Sequence, residues 1–331
     1  MRIALSACKP AEPLLSFTTG AGGFNMGTCN FNPRNWKEKV VIVIGATGTG
    51  KSRLSIDLAT RFSAEVVNSD KMQAYRGLDI ATNKVTADEC RGVPHHLLGF
   101  VDPNADFSAA EFRRHASLAV DSIAARERLP IIAGGSNSYV EALVNDDLEF
   151  RSKYEFCFLC VYVALPVLYS FVSNRVDRMV QSGLVDEVRG MFDPEADYTR
   201  GIRRAIGVPE LDPFFRAEGS AAEETRAKLL QDAIREIKEN NCKLAYRQLH
   251  KIRRLDNLLG HKMHRLDATD VFLKRGVEAA EAWERLILRP STAILNRFLS
   301  GESSFLSHED CLATALVPPM AAPAAVAATF G

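Results

Sequence analysis

One octapeptide of this sequence has the residue types and the spacing to bind phosphate groups. It consists of Gly45, Ala46, Thr47, Gly48, Thr49, Gly50, Lys51 and Ser52. In such a loop the glycines let backbone N–H groups converge on phosphate oxygens, and Lys51 adds a full positive charge. The hydroxyl of Ser52 can ligate a Mg²⁺ ion that is bound to the same phosphates. The octapeptide therefore predicts a site for a phosphate chain without identifying the molecule that carries it.

The segments on either side of the octapeptide predict the elements that must hold it. Five β-branched residues at 40–44 predict a buried parallel strand, and residues 53–59 place apolar side chains at helical spacing. A helix that begins at the loop adds the partial positive charge of its N-terminus. Because strand, loop and helix occur in the required order, we predict an α/β fold. Its parallel sheet should resemble that of P-loop NTPases, flanked by helices.

Two further strand ends should bring polar residues to the same place. A second strand is predicted at 64–68 and leads into Asp70, and a third, at 130–133, runs into a glycine-rich turn at 134–139. In a doubly wound sheet, ligands meet the carboxyl ends of the strands. We therefore expect the carboxylate of Asp70 to lie beside the phosphate loop.

After a fourth predicted strand at 156–165, the chain is expected to be mainly helical, over about 166–290. Pro166 suits the first turn of a helix, because its missing N–H would have no partner there. The same helix carries Arg175, which we interpret as a second clamp on the phosphates. Further helices are predicted at 107–128, with Ser108 as N-cap, and at 274–288.

A long helical pattern at 221–255 becomes basic towards its end. One interpretation is a solvated helix face. The other is a binding surface, because Lys243, Arg247 and Lys251 fall on neighbouring turns and could donate to one polyanion. We therefore include these three residues among the predicted nucleotide-binding residues.

Composition limits the class of protein. Of the 331 residues, 47% are hydrophobic and 25% charged, which is ordinary for a soluble core. The formal net charge is zero, so a nucleic-acid partner would need a local basic patch. The seven cysteines are an odd number in a chain without a secretory-type signal, and we interpret them as reduced thiols. Cys157 and Cys160 should point to opposite faces of a strand, as buried core thiols rather than a redox or zinc pair.

The two ends of the chain differ from its middle. Residues 1–36 hold one acidic residue and many Ser, Thr and Gly residues, which predicts a transit peptide for the plastid. A plain disordered N-terminus, with the protein in the cytoplasm, is the alternative. Residues 37–290 are predicted to form the folded domain. Residues 291–331 are predicted to be a disordered tail, whose prolines argue against a membrane helix.

A set of motifs in fixed order resembles the isopentenyltransferase family. It comprises residues 45–52, 68–73, 92–98, 133–139, 177–179, 183–188, 201–207 and 247–248. The resemblance covers roughly residues 38–288, and the set is most similar to the plant branch of the family, the adenylate isopentenyltransferases, which make cytokinin precursors. It implies transfer of a dimethylallyl group from dimethylallyl diphosphate to N6 of the adenine of ATP, ADP or AMP, with Mg²⁺ as cofactor.

The resemblance also implies roles for single residues. Asp70 matches the general base that accepts the proton of N6, and Thr47 matches the residue that hydrogen-bonds the bridging oxygen of the donor. Lys51 and the rest of the loop would neutralise the diphosphate as it leaves, with Mg²⁺ on Ser52. We assign Ser138, in the second glycine-rich turn, to the acceptor side.

One strand departs from the pattern of the family. Cys160 and Tyr162 stand where plant relatives often carry Trp and Asp, and we expect a small effect because Asp70, Thr47 and Lys51 are present. Three alternative functions stay open. They are a tRNA dimethylallyltransferase, a P-loop small-molecule kinase and an inactive nucleotide-binding module.

Features beyond the shared core favour a free nucleotide over tRNA as the acceptor. Eukaryotic tRNA-modifying relatives typically carry a C-terminal zinc finger, which needs a pair of cysteines followed by a pair of histidines. After residue 255 this chain has only Cys311, with His261 and His264 as its near histidine pair. A local basic cluster is enough for the phosphates of one nucleotide. It consists of Arg203, Arg204, Lys243, Arg247, Lys251 and Arg254.

Overall fold

The computed structural model describes residues 37–301, and every structural statement below concerns that part of the chain. The predicted transit peptide at 1–36 and the end of the predicted tail, from residue 302 onward, lie outside the described residues.

Within this part of the chain, six strands form one parallel sheet. They are β1 (Glu38–Gly45), β2 (Ala64–Asn68), β3 (His95–His96), β4 (Leu129–Ala133), β5 (Tyr154–Tyr162) and β6 (Met263–Asp267). Their order across the sheet is β3-β2-β4-β1-β5-β6, and all neighbouring pairs are parallel. The four strands predicted from the sequence are present. The two outermost strands, β3 and β6, were not predicted.

Twelve α-helices accompany the sheet in the described residues. They are α1 (Lys51–Arg61), α2 (Ala87–Cys90), α3 (Ala109–Ala124), α4 (Asn137–Val144), α5 (Leu148–Lys153), α6 (Leu165–Gln181), α7 (Leu184–Arg189), α8 (Val208–Ala217), α9 (Glu223–Leu258), α10 (Thr269–Leu273), α11 (Gly276–Trp283) and α12 (Arg289–Ser300). Short 3₁₀ turns occur at Met72–Ala74 and Gly201–Arg204, and one π-helical turn at Glu284–Leu288 joins α11 to α12. The predicted α/β fold, mainly helical after the fifth strand, is confirmed.

Local sequence signals explain where several helices begin and end. The hydroxyl of Ser108 accepts a hydrogen bond from the backbone N–H of Glu111, whose carboxylate accepts one from the N–H of Ser108, as a capping box. Pro166 lies in the first turn of α6, as predicted. Gly183 adopts φ +99° between α6 and α7, a conformation that separates two helices at little cost in a glycine.

The sheet is buried on both faces, as expected for a parallel sheet. Along β1, Ile42 and Ile44 pack into the hydrophobic core on one face, and Val41 and Val43 pack into the core on the other. Cys157 and Cys160 are both buried and belong to different cores. The prediction that these two thiols point to opposite faces of their strand is therefore confirmed.

The C-terminal boundary predicted from the sequence is wrong by ten residues. Residues 291–300 belong to α12, in which the side chain of Leu295 is fully buried. The side chains of Ile294, Leu295 and Phe298 recur at helical spacing and pack against the core that contains Val41. This periodic apolar pattern, which continues from the predicted helix at 274–288, is the reason the folded part extends to residue 300. No helix in the described part of the chain is long and apolar enough to cross a membrane.

Candidate active site

Three neighbouring strands deliver polar residues to one cavity of about 950 Å³ at the carboxyl edge of the sheet. The loop after β1 contributes Thr47, Lys51 and Ser52, the turn after β2 contributes Asp70, and the turn after β4 contributes Gly135. Because β2, β4 and β1 are adjacent in that order, their carboxyl ends must lie side by side. The structure thus brings Asp70 to the phosphate loop, where the sequence predicted it.

The phosphate loop closes tightly on itself. The carbonyl of Ala46 accepts hydrogen bonds from the hydroxyl of Thr49 at 2.9 Å and from the ammonium of Lys51 at 2.7 Å. Gly48 adopts φ +83°, and a Cβ atom there would lie 2.8 Å from Cγ1 of Val172 on α6. Glycine is therefore required at this position for both its conformation and its size, which leaves the backbone N–H groups of the loop accessible to an anion.

Lys51 is placed to lose its proton more easily than an ordinary lysine. Burial lowers its pKa to about 8, and the nearby Arg175 acts in the same direction. The carboxylate of Asp70 and the thiol of Cys160 oppose this shift. An anion bound in the loop would raise this pKa again, because a close opposite charge favours the charged form of the lysine.

Arg175 of α6 reaches the phosphate loop from the side. Its guanidinium donates to the hydroxyl of Thr47 at 3.0 Å and to the side-chain oxygen of Asn241 on α9 at 3.1 Å. Its pKa is lowered to about 10, first by burial and then by the charge of Arg178, while Asp70 acts in the opposite direction. The structure therefore places Arg175 at the loop, where a clamp on phosphates is expected.

Asp70 is held with one side of its carboxylate occupied and the other turned towards the second glycine-rich turn. Its Oδ1 atom accepts from the N–H of Met72 at 3.0 Å, and its own N–H donates to Asn68 Oδ1 at 3.1 Å. A Cβ atom at Gly135 would lie 2.9 Å from Asp70 Oδ2. Glycine at 135 thus lets the turn after β4 approach Oδ2 closely.

Helix α9 presents polar side chains to the site, although not the ones that were predicted. Lys243, Arg247 and Lys251 are exposed and do not line the cavity. The residues of α9 that point inward include Asn241 and Gln248, which are 7% exposed each. The structure therefore does not place the three basic residues at this cavity. They lie on the far side of a helix whose buried face packs on the sheet and on α6.

The predicted basic cluster is likewise absent from the cavity. Arg254 pairs with Glu141 at 2.6 Å, and Arg203 donates to Asn104, so both are engaged elsewhere. The cations that do line the cavity come from other segments. They are Lys51, Arg53, Lys84, Arg175, Arg178, Lys274 and Arg275.

Ser138 does not reach the cavity either. It lies exposed in the first turn of α4. Ser136, two residues earlier, is the residue of this turn that contacts the opposite strand end, because its hydroxyl accepts from the N–H of Lys71 at 2.9 Å. The structure therefore does not bring Ser138 to the cavity, and Ser136 takes its place in this turn.

The departures at Cys160 and Tyr162 lie outside the cavity. Burial raises the pKa of Cys160 to about 11, so this thiol is neutral near pH 7. Tyr162 carries the guanidinium of Arg265 over its ring, at 3.7 Å from the centroid. Both residues lie on β5 where it pairs with β6, and Cys160 is buried in the core.

The donor set of the cavity suits a metal held mainly by a ligand. In the described residues no group of three or more His, Cys, Asp or Glu side chains could hold a metal ion. The hydroxyl of Ser52, exposed at the start of α1, lines the cavity next to Lys51. Magnesium typically keeps several waters and binds through phosphate oxygens and one or two protein oxygens, which is what this arrangement offers.

Comparison with known proteins supplies the family. The model described as IPP transferase matches this chain over residues 73–153 and 145–255. Adenylate isopentenyltransferase 5, chloroplastic, of Arabidopsis thaliana is 60% identical over 298 residues, which cover 88% of this chain and 90% of that protein. Adenylate isopentenyltransferase 7, mitochondrial, of the same plant is 51% identical and covers 95% of both chains.

A solved structure of similar fold extends this comparison to the geometry. A eukaryotic dimethylallyltransferase acting on tRNA matches with a TM-score of 0.70 at 25% identity, over 80% of each chain. The match of sheet and helices agrees with the P-loop-type fold described above. Sequence identity of 60% over most of its length shows that the chain belongs to the IPP transferase family.

Proposed function

We propose that this protein is an adenylate isopentenyltransferase of cytokinin biosynthesis. It transfers the dimethylallyl group of dimethylallyl diphosphate to N6 of the adenine of ATP, ADP or AMP. The observation that carries this proposal is the single cavity in which a phosphate loop and the carboxylate of Asp70 face each other. The plant relatives named adenylate isopentenyltransferases support the choice of reaction.

The loop suits the leaving group of this reaction. The allylic C–O bond breaks with cation-like character at carbon, and negative charge develops on the departing diphosphate. Lys51, Arg175 and the backbone N–H groups of the loop converge on the region where that charge appears. Preorganised donors of this kind stabilise a transition state most where charge develops. The hydroxyl of Thr47, which accepts a hydrogen bond from Arg175, would donate its own proton to the bridging oxygen.

Asp70 suits the other half of the reaction. The exocyclic nitrogen N6 forms a bond to C1 of the allyl group as the C–O bond breaks, and it must lose one proton. N6 is a poor nucleophile because its lone pair is delocalised into the purine ring. The carboxylate of Asp70 orients the amine through a hydrogen bond and accepts its proton as positive charge builds on nitrogen.

Mg²⁺ would be held by Ser52 and by the phosphate oxygens of the donor, and when bound it neutralises part of their charge. Apolar side chains line the same cavity and suit a five-carbon hydrocarbon group better than a second phosphate chain. They are Met72, Ile80, Leu98, Met179 and Ile206. This lining favours a prenyl donor over the reaction of a small-molecule kinase.

A free nucleotide is the acceptor that this cavity favours. Arg178, Lys274 and Arg275 line it beyond the phosphate loop and would supply positive charge for the phosphates of ATP or ADP, whereas Lys84 in the same lining pairs with Asp79 at 2.7 Å. The relatives named adenylate isopentenyltransferases support this acceptor over tRNA, although the fold is shared with an enzyme acting on tRNA.

The location that we propose is the plastid. The sequence of residues 1–36 has the low acidity of a transit peptide. Relatives carry the names chloroplastic and, in one case, mitochondrial, so an organelle is favoured over the cytoplasm. A fluorescent reporter fused behind residues 1–36 should enter plastids, and a diffuse cytosolic signal would contradict this location.

One turnover assay tests the proposal against its rivals. The protein is incubated with dimethylallyl diphosphate, Mg²⁺ and one acceptor at a time: AMP, ADP, ATP or an anticodon stem-loop. A gain of one prenyl unit on the nucleotide supports the proposal. A transferred phosphate supports a kinase, faster prenylation of the stem-loop supports a tRNA enzyme, and no turnover by correctly folded protein supports a binding module.

A further inference from the structure

The side chain of Gln248 joins the two glycine-rich turns of the active site. Its Oε1 atom accepts a hydrogen bond from the backbone N–H of Thr47 at 2.7 Å. Its Nε2 atom donates to the carbonyl of Gly135 at 2.9 Å. The residue comes from α9 and is 7% exposed. One amide therefore satisfies a donor on the phosphate loop and an acceptor on the turn after β4.

The chemistry of an amide is required for this link. Only Asn and Gln carry a hydrogen-bond acceptor and two donors on one neutral side chain, and Asn is shorter by one methylene. The backbone of α9 is fixed at the same place, because Asn137 Nδ2 lies 3.4 Å from the carbonyl of Gln248. The reach and the direction of the bridge are therefore set by the helix and not by a mobile side chain.

Gln248 joins a backbone group on the donor side of the proposed reaction to one on the acceptor side. The hydroxyl of Thr47, held by Arg175 at 3.0 Å, belongs to the donor side. On the acceptor side, a Cβ atom at Gly135 would lie 2.9 Å from Asp70 Oδ2 and 2.7 Å from Gln248 Nε2. A shift of the phosphate loop relative to the turn after β4 would change the distance between the diphosphate and the carboxylate of Asp70.

We infer that Gln248 is a positioning residue that keeps the phosphate loop and the turn after β4 in register, and so aligns the allylic carbon with the amine that attacks it. This inference rests on the proposed prenyl transfer. Gln248 does not touch the reacting atoms. Lys51 and the N-terminus of α1 do not depend on the bridge, so donor binding should survive its loss while alignment does not.

The test uses Gln248→Met, which preserves length and fills the space but removes both hydrogen bonds. Its matched control is Ile252→Ala, one turn further along the buried face of α9, which removes core packing and keeps the side chain of Gln248. For each full-length protein one measures the thermal unfolding midpoint, kcat, KM for both substrates, and the Kd of an unreactive thiolodiphosphate analogue of the donor.

Gln248→Met should lower kcat at least about tenfold and leave the donor-analogue Kd within about threefold, because small misalignment costs rate more than binding. Ile252→Ala should lower the unfolding midpoint and keep the wild-type kcat. The inference is overturned by a wild-type kcat in Gln248→Met, or by a loss of kcat in both variants that follows their loss of stability.

A second variant alters the link at Gly135 instead of at Gln248. Gly135→Ala keeps the glutamine itself but introduces a methyl group against Gln248 Nε2 at 2.7 Å and against Asp70 Oδ2 at 2.9 Å, so it displaces the turn after β4 from both partners. It should show the same loss of kcat with nearly unchanged donor affinity, and full activity would overturn the inference even if Gln248→Met does not fold. Failure of the wild-type protein to prenylate any acceptor would instead refute the proposed function.

Discussion

The guanidinium of Arg175 lies 3.0 Å from the hydroxyl of Thr47 and 3.1 Å from the side-chain oxygen of Asn241. One cation from α6 thus connects the phosphate loop to α9. Because a guanidinium presents several donors in a fixed planar fork, it can hold both partners and still offer N–H groups to an anion.

Arg175→Lys should therefore lose function although the charge is kept. The Nη2 atom of Arg175 alone donates to both Thr47 and Asn241, so the other guanidinium nitrogens remain for an anion, whereas a lysine ammonium has a single nitrogen for all three tasks. We expect a drop in kcat/KM for the prenyl donor of at least about tenfold, since hydrogen bonds to charged groups contribute roughly 1.5–3 kcal/mol. The control is Arg189→Lys, a surface residue paired with Glu218, which should match the wild type. Equal activity of both variants would show that charge alone suffices at position 175.

Lys51→Ala and Asp70→Asn should fail in different ways. Lys51→Ala removes a cation from the diphosphate site, so donor affinity and turnover should fall together. Asp70→Asn keeps the acceptor that Met72 N–H needs but cannot take a proton. Its donor affinity should stay close to wild type, while kcat falls by roughly two orders of magnitude or more, the usual scale for a positioned base. Binding isotherms and single-turnover rates separate the two effects.

An equal loss of donor affinity in these two variants would assign Asp70 to the phosphate or metal site. The thermal unfolding midpoint of each variant provides the control for folding.

The activity should depend on pH through Lys51. Burial lowers the pKa of this lysine to about 8, so the free enzyme loses the ammonium as the pH rises through that value. Because the charged form binds diphosphate, kcat/KM for the donor should fall above about pH 8. Bound diphosphate favours the ammonium, so the corresponding fall in kcat should occur at higher pH. A kcat/KM profile that stays flat to pH 9.5 would contradict this role.

The positions of Lys51 and Asp70 could be predicted from the sequence because strand ends are marked locally. A β-branched run followed by a glycine-rich turn fixes both the strand and its carboxyl end, and parallel strands share that edge. Strand β6, in contrast, has the sequence Met263–Asp267 with only Leu266 buried, so it lacks both alternation and an apolar run. It is recognisable only through its pairing with β5.

The sequence led to the basic residues of α9, which do not line the cavity, because charge was given more weight than burial. Polar residues at buried helical positions were the better signal: Asn241 and Gln248 share the face of Ala245 and Ile252, which packs inward. Lys243 and Arg247 lie off that face and line a separate shallow groove with Tyr169. Periodicity could have identified Gln248, whereas nothing local indicates that Lys274 reaches the cavity from beyond β6.

The terminal helix α12 should contribute to the stability of the fold. Leu295 is fully buried, so Leu295→Ala leaves a cavity and should lower the free energy of unfolding by about 2–5 kcal/mol. The neighbouring Leu299, which is 37% exposed, provides the control. Leu299→Ala should change the free energy of unfolding by less than about 1 kcal/mol. If a denaturant titration showed that Leu295→Ala costs as little free energy of unfolding as Leu299→Ala, α12 would lie outside the cooperative fold.

Discrimination between acceptors should depend on the cations that line the cavity and not on those of α9. Lys274 and Arg275 line the cavity, whereas Lys243 and Arg247 do not. Lys274→Ala and Arg275→Ala should therefore lower kcat/KM for ATP by about two- to fivefold each, the scale of an exposed ion pair, and affect AMP less. Lys243→Ala and Arg247→Ala, which remove the same charge elsewhere on the protein, are the matched controls. They should change kcat/KM for ATP and for AMP by the same factor.

The ratio of kcat/KM for ATP to that for AMP is the quantity to compare, because it cancels any general loss of active enzyme. A ratio that changes only in the α9 variants would place the nucleotide phosphates in the groove beside Tyr169.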